Sequence, residues 1–169
     1  MKENVTLKFL KIAVEPHPQT GLQLEYLDKP DAIAALVLDA AGESALFVRQ
    51  YRPGYRGELL EVPAGIMEKG EDPMETLARE LREETGYDKE DYRFLHIPEK
   101  PLILSPGCST EKLYVYVVQL KSADIRPKKL HLDEGEILVD HWVKLTEIER
   151  ETVDFKTIFA VNLYKLLRK

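Results

Sequence analysis

The hydrophobic positions change period along the chain. In the first third they alternate with polar residues or gather in short apolar runs, the pattern of strands. Residues 5–14 and 22–27 read as two β-rich segments, parted by the turn-prone stretch 16–21 with its two prolines and one glycine. Residues 32–38 and 44–51 form the next pair, split by the hairpin loop Asp39-Ala-Ala-Gly-Glu43. Residues 59–62 make a short strand that ends at Pro63. From Pro73 to Thr85 the period lengthens. Met74, Leu77, Ala78 and Leu81 then fall at i, i+3, i+4 and i+7, one face of a helix. Asp72 is its expected N-cap, with Pro73 in the first helical position and Glu75 completing a capping box. Gly86 is placed to close it. Strands resume at 92–96, 102–104, 113–120 and 137–143, and helices are expected at 146–150 and 154–167. The order predicts a single α+β domain of many strands, one central helix and a helical tail.

Composition narrows the class. The chain has 169 residues, enough for one domain with a sizeable core, and no repeat, linker or low-complexity run divides it. No apolar run approaches the roughly 18–20 residues that span a bilayer, and the first residues lack a signal-peptide pattern. A cytoplasmic chain without membrane partners is expected. The net charge of −6 argues against a nucleic-acid partner, for which a basic stripe is needed. It leaves room for a small anionic substrate, because bound metal ions supply local positive charge. The single cysteine, Cys108, rules out an intrachain disulfide and reads as a small buried hydrophobe. The four histidines have no HxxxH spacing, so a histidine metal site or Ser–His triad has little support.

The central helix carries the candidate chemistry. On a helical wheel centred on Met74, the four apolar residues fall together on one face. Arg82 and Arg79 lie beyond one edge of that face. Glu83 lies opposite the face, and Glu80 and Glu84 follow round to its other edge. Intrahelical pairs Glu75–Arg79 and Arg79–Glu83 would suit a merely solvated face. Glu80 and Glu84 suit it poorly, because like charges at i,i+4 repel and no basic residue of the helix occupies their sector. A divalent cation relieves that repulsion, and a set of hard oxygen donors suits Mg²⁺ or Mn²⁺ rather than zinc.

The spacing around this edge is specific. The segment reads Gly65-x5-Glu71-x7-Arg79-Glu80-Leu81-x-Glu83-Glu84-x-Gly86-Tyr87. It resembles the Nudix hydrolase signature, G-x5-E-x7-R-E-U-x-E-E-x-G-U, with U a bulky apolar residue and Tyr87 a mild variant at the last position. The resemblance implies an α/β/α sandwich with a mixed sheet, here over residues 30–169, preceded by an antiparallel β extension over 1–29. It implies hydrolysis of a nucleoside diphosphate derivative. Glu80 and Glu84 would be the principal ligands of two or three Mg²⁺ ions, replaceable by Mn²⁺, with Glu83 in the same cluster and the Ala64 carbonyl as a further ligand. Gly65 would supply backbone freedom at the strand-to-loop turn. Arg79 would orient the glutamates, and Glu71 would hold the loop or an outer metal.

Three other segments look like the ADP-ribose pyrophosphatase branch: Arg49-Gln-Tyr-Arg52-Pro, Glu58-Leu-Leu-Glu61-Val-Pro-Ala-Gly, and Ser105-Pro-Gly-Cys-Ser-Thr-Glu111. By that similarity Arg52 would contact the substrate phosphates, Glu61 would help hold the nucleoside part, and Glu111 would be a substrate-side carboxylate. The alternatives are a surface ion-pair arginine, an edge-strand glutamate and a strand-start residue. The loop 132–136 would supply the general base, Glu136, with Glu134 in reserve; as residues alone it is a solvated acidic turn. ADP-ribose would yield AMP and ribose 5-phosphate. One departure bears on substrate identity: the stretch between Tyr87 and Pro106 is slightly longer than in such relatives, with the extra length assigned to the loop 97–101. GDP-mannose or another nucleoside diphosphate sugar is the alternative substrate. A non-catalytic ligand-binding module is the alternative of a different class, disfavoured by the intact glutamates. The β extension implies a homodimer, and Tyr26 and Tyr55 are the candidates for stacking on the base.

Overall fold

The protein is described here by a computed structural model covering residues 10–130 and 139–168. The elements follow the order β1 (Ile12–Pro16), β2 (Gln23–Leu27), β3 (Ala32–Leu38), β4 (Ser44–Arg52), β5 (Gly57–Glu61), β6 (Ala64–Ile66) and α1 (Pro73–Glu80). A π-helical segment (Leu81–Thr85) continues α1. Then come β7 (Tyr92–His96), β8 (Leu102–Ile103), β9 (Lys112–Leu120), β10 (Val139–Lys144), α2 (Ile148–Glu151) and α3 (Phe155–Leu167).

β3 explains the layering. All seven of its side chains are apolar and buried, so both of its faces need cover. Ala34, Leu36 and Leu38 pack in one core cluster with Ala160, Val161 and Tyr164 of α3. Ile33, Ala35 and Val37 pack in the other with Leu77 and Leu81. Because successive strand side chains point to opposite faces, α1 and α3 must lie on opposite sides of the sheet. The result is the expected α/β/α sandwich. The main sheet runs β10-β4-β3-β9-β7, with β5 on β4, β6 on β3 and β8 on β9. It is mixed, since β3 and β9 are parallel, Ala32 opposite Leu113, while their other pairings are antiparallel.

β1 and β2 form a separate antiparallel hairpin. Its turn closes through His17 N–H to Leu22 O at 2.7 Å, which carries β1 on to Pro16, past the expected end at residue 14. The start of that expected strand, residues 5–9, lies outside the described residues, as do 137 and 138 of the last expected strand. The hairpin is tied to the domain where Leu27 N–H donates to Cys108 O at 2.9 Å and Thr110 N–H to Leu27 O at 3.0 Å. Cys108 is therefore exposed in a turn, where its backbone serves as the tether, and is not the buried hydrophobe expected.

Asp72 caps α1 as expected, accepting from Met74 N–H at 2.8 Å, but no bond from the Asp72 amide to the Glu75 carboxylate completes the expected capping box among the described residues; Thr76 Oγ1 donates instead to the Asp72 carbonyl. The regular helix also ends earlier than expected. Thr85 Oγ1 donates to the Leu81 carbonyl, one turn back, and the last five residues widen to π geometry. Gly86, at φ 75°, then closes the segment in the left-handed region. Strand β6 carries no sequence signal, because its three residues are too few to show a period. No helix among the described residues is long and apolar enough to cross a membrane.

Candidate active site

Short β6 brings the loop after β5 back onto β3, pairing Gly65 with Ile33 and Ala64 with Ala34. That register sets Gly65 beneath the end of α1. A Cβ on Gly65 would stand 1.8 Å from Glu80 Cδ and 2.0 Å from its Oε1. Gly65 is not in the left-handed region, so the expected need for backbone freedom is corrected: the position needs glycine because the Glu80 carboxylate lies on it. Beside it, Ala64 N–H donates to Glu84 Oε2 at 3.1 Å, and Glu84 is only 6% exposed.

Arg79 organises the rest of this wall. Its Nε and Nη2 reach the two Glu71 oxygens, each at 3.1 Å, and Nη2 also donates to Ile66 O. Its Nη1 reaches Glu80 Oε1 at 2.7 Å and Glu83 Oε2 at 3.3 Å. The expectation that no basic residue of the helix enters the Glu80 sector is thus corrected, since the long guanidinium folds back along the helix. Arg79–Glu83 forms as expected, while Glu71 takes the place expected for Glu75. Hydrogen bonds from Arg79, then from the Glu68 amide, hold the Glu71 carboxyl down at about 2. Glu71 in turn holds the Arg79 guanidinium above its ordinary value.

A second wall comes from β4, β5 and the start of α3. Glu61 is 1% exposed and accepts from Arg52 Nε at 2.7 Å and Nη2 at 2.6 Å, a bidentate pair. Lys156 Nζ donates to the same carboxylate and to Asp154 Oδ1 at 3.1 Å. Burial pushes the Glu61 carboxyl up, and the hydrogen bonds from Arg52 and Lys156 outweigh it, so it lies below its ordinary value. The α3 end is fixed to β5 and the residue just beyond it: Thr157 Oγ1 accepts from Val62 N–H at 2.8 Å, and Thr152 Oγ1 donates to Leu60 O. Asp154 caps α3 by accepting from Thr157 N–H and Oγ1.

Both walls border one cleft of about 820 Å³, the size of a nucleotide-binding pocket. Ala64, Glu80, Glu83, Glu84, Arg52 and Glu111 all line it, the last paired with Lys29 Nζ at 2.6 Å. Glu61 does not line it; it lies beneath Arg52 and Lys156. Tyr26 borders a separate cleft of about 330 Å³, and Tyr55 is exposed and lines neither. Glu134 and Glu136 lie outside the described residues. The sequence reading passed over Lys156, Phe155 and Asp154. One signal was available: a lysine in the first turn of a helix opposes the helix dipole and calls for a carboxylate partner.

The carboxylate wall fits a hard divalent cation by its donors. Glu80, Glu83, Glu84 and the Ala64 backbone offer only oxygen ligands, gathered in one cleft. Among the described residues no three His, Cys, Asp or Glu side chains converge at metal-ligand spacing, because Arg79 draws Glu80 and Glu83 aside and the Ala64 amide engages Glu84. A cation would have to compete with those hydrogen bonds.

Residues 28–161 match the family described as NUDIX domain. A methanol dehydrogenase activator from Bacillus methanolicus is 33% identical over 156 residues, covering 89% of this chain and 80% of that protein. An ADP-ribose pyrophosphatase from Bacillus subtilis (strain 168) is 32% identical over 148 residues, covering 84% of this chain and 76% of that protein. Among solved structures, an ADP compounds hydrolase superposes with a TM-score of 0.67 over 95% of each chain; at 21% identity this likeness speaks to the fold alone.

Proposed function

This chain belongs to the Nudix family of hydrolases, and on that premise we propose that it cleaves the pyrophosphate bond of a nucleoside diphosphate derivative, with ADP-ribose the leading substrate. The observation that carries the reading is one cleft with two chemically different walls: the carboxylates Glu80, Glu83 and Glu84 in one, the cations Arg52 and Lys156 in the other. A diphosphate uses both. Divalent cations such as Mg²⁺, held by Glu80, Glu84, Glu83 and the Ala64 carbonyl, would neutralise the substrate and make an attacking water more acidic.

The chain's own groups do the rest. Arg52 Nη1 makes no hydrogen bond among the described residues and is free to donate to a phosphate oxygen. Glu61 fixes the plane of that guanidinium and holds Lys156 beside it, a positioning role that replaces the direct hold on the nucleoside considered for it. Glu111, paired with Lys29, lines the same cleft and would be a substrate-side carboxylate. Glu136, or Glu134 in reserve, takes the proton from the attacking water. Attack on one phosphorus expels the other phosphate, giving AMP and ribose 5-phosphate from ADP-ribose. The β1–β2 hairpin exposes Ile12, Val14 and Leu22, an apolar surface suited to a homodimer. The test is phosphomonoester release from ADP-ribose, GDP-mannose and other nucleoside diphosphate sugars, with Mg²⁺ and with chelator. Mg²⁺-dependent release from ADP-ribose supports the reading. Release from another sugar alone changes the substrate, and none from any refutes the activity.

A further inference from the structure

A nucleoside diphosphate derivative has an aromatic base as well as phosphates, and an aromatic side chain is the usual sequence-tolerant partner for the base's face. Phe155 is the one aromatic among the described residues that line the cleft. It is 65% exposed. A lone exposed apolar residue is ordinary on a protein surface. This one differs in three ways. It occupies the first helical position of α3, directly after the N-cap Asp154, whose carboxylate is tied to Thr157 N–H at 2.9 Å and Thr157 Oγ1 at 2.7 Å. Its ring is backed by Phe159, 6.3 Å away at 32°, which itself packs against the core. Its chain neighbour Lys156 is one of the two cations held by buried Glu61. The ring is thus mounted on a rigid support, adjacent in the chain to a phosphate-binding charge.

We propose that Phe155 is the platform on which the substrate's nucleobase stacks, and that it sets the preference for a base-bearing diphosphate. The inference rests on the hydrolase reading above and adds a direction: the nucleoside half lies along the start of α3, with its 5′-phosphate towards Lys156 and Arg52. Tyr26 and Tyr55, outside this cleft, are thereby set aside as stacking partners.

The two products of ADP-ribose cleavage separate the contributions, because AMP keeps the base and ribose 5-phosphate lacks it. In Phe155→Ala, calorimetric titration is expected to show AMP affinity lowered about 5- to 150-fold, the range for loss of one base–aromatic stack. Ribose 5-phosphate affinity should be unchanged. The same variant should raise KM for ADP-ribose with little change in kcat, and Phe155→Tyr should restore KM. A spectroscopic arm is independent of turnover. Trp142 is the chain's single tryptophan, so Trp142→Phe combined with Phe155→Trp leaves one indole at the cleft. Its fluorescence should be quenched by AMP and not by ribose 5-phosphate. Unchanged AMP affinity in Phe155→Ala, or an indole indifferent to AMP, would overturn the proposal while wild-type turnover continued. Absence of any wild-type turnover would instead sink the hydrolase reading.

Discussion

Replacing Gly65 by alanine tests how closely the fold holds its carboxylates. The added methyl would lie 1.8 Å from Glu80 Cδ and 2.3 Å from its Cγ. Ordinary contact begins at 3.4 Å, so the carboxylate carbon has to retreat by about 1.6 Å. Glu80 cannot swing alone, because its Oε1 is tied to Arg79 Nη1 at 2.7 Å and Arg79 also holds Glu71 and Glu83. The backbone tolerates the change, since Gly65 sits in strand register opposite Ile33 and outside the left-handed region. Alanine also restricts the unfolded chain, a gain of about 0.4–1 kcal/mol that offsets part of the clash. Overpacking of this kind costs about 1–3 kcal/mol, so the net effect should be a loss of up to about 2 kcal/mol, a Tm lower by up to about 4–8 °C, with the fold retained. Activity should not be spared. A reacting geometry displaced by about 1 Å commonly loses about 10²-fold in rate, and misdirecting a ligand weakens metal affinity about 10- to 100-fold. Steady-state kinetics across a Mg²⁺ titration, paired with a thermal melt, reads both. A folded Gly65→Ala protein with wild-type kcat and unchanged Mg²⁺ half-saturation would refute the placement of Glu80 at the reaction centre.

Two further outcomes follow from the ion pairs. Glu61→Gln removes the charge shared by Arg52 and Lys156 in a buried position; discounting for the 40% exposure of the Arg52 side chain, the expected loss is about 2 kcal/mol, seen as a Tm lower by about 4–8 °C, with KM rising more than kcat falls. An unchanged KM would argue against its positioning role. Glu71 has a carboxyl depressed from 4.5 to about 2, so the stability it adds is fully present above pH 4.5 and is lost as pH falls towards 2. The Tm difference between wild type and Glu71→Gln should shrink across that window, and a constant difference would contradict the Arg79–Glu71 pairing.

The strands at 32–38 and 92–96 and the start of α1 were legible from sequence because each carries a local signal: an uninterrupted apolar run, a bounded β-rich segment, an Asp-Pro helix start. The glutamates were legible because their spacing is a property of one segment. What the sequence did not reveal depends on contacts between groups that a uniform pattern cannot register. The π widening comes from a Thr85 hydroxyl competing for a backbone carbonyl, which a wheel built on equal turns leaves out. The role of Gly65 comes from the approach of Glu80, which belongs to another element. Lys156 joins the site only because Thr152 and Thr157 fasten α3 to the β5 strand and to Val62 just beyond it. Cys108 is exposed because its carbonyl holds the N-terminal hairpin from a surface turn.

Metal-assisted cleavage is tested at its root by Glu84→Gln, assayed for Mg²⁺-dependent phosphomonoester release from the substrate the wild type cleaves. The substitution keeps the shape of a side chain only 6% exposed and retains an oxygen for the Ala64 amide, so the fold should survive. A metal contributes several kcal/mol to such a transition state, and at about 1.36 kcal/mol per tenfold the expected loss in kcat is at least about 10²-fold. Wild-type turnover by folded Glu84→Gln in saturating Mg²⁺ would contradict the assignment of this carboxylate to the metal.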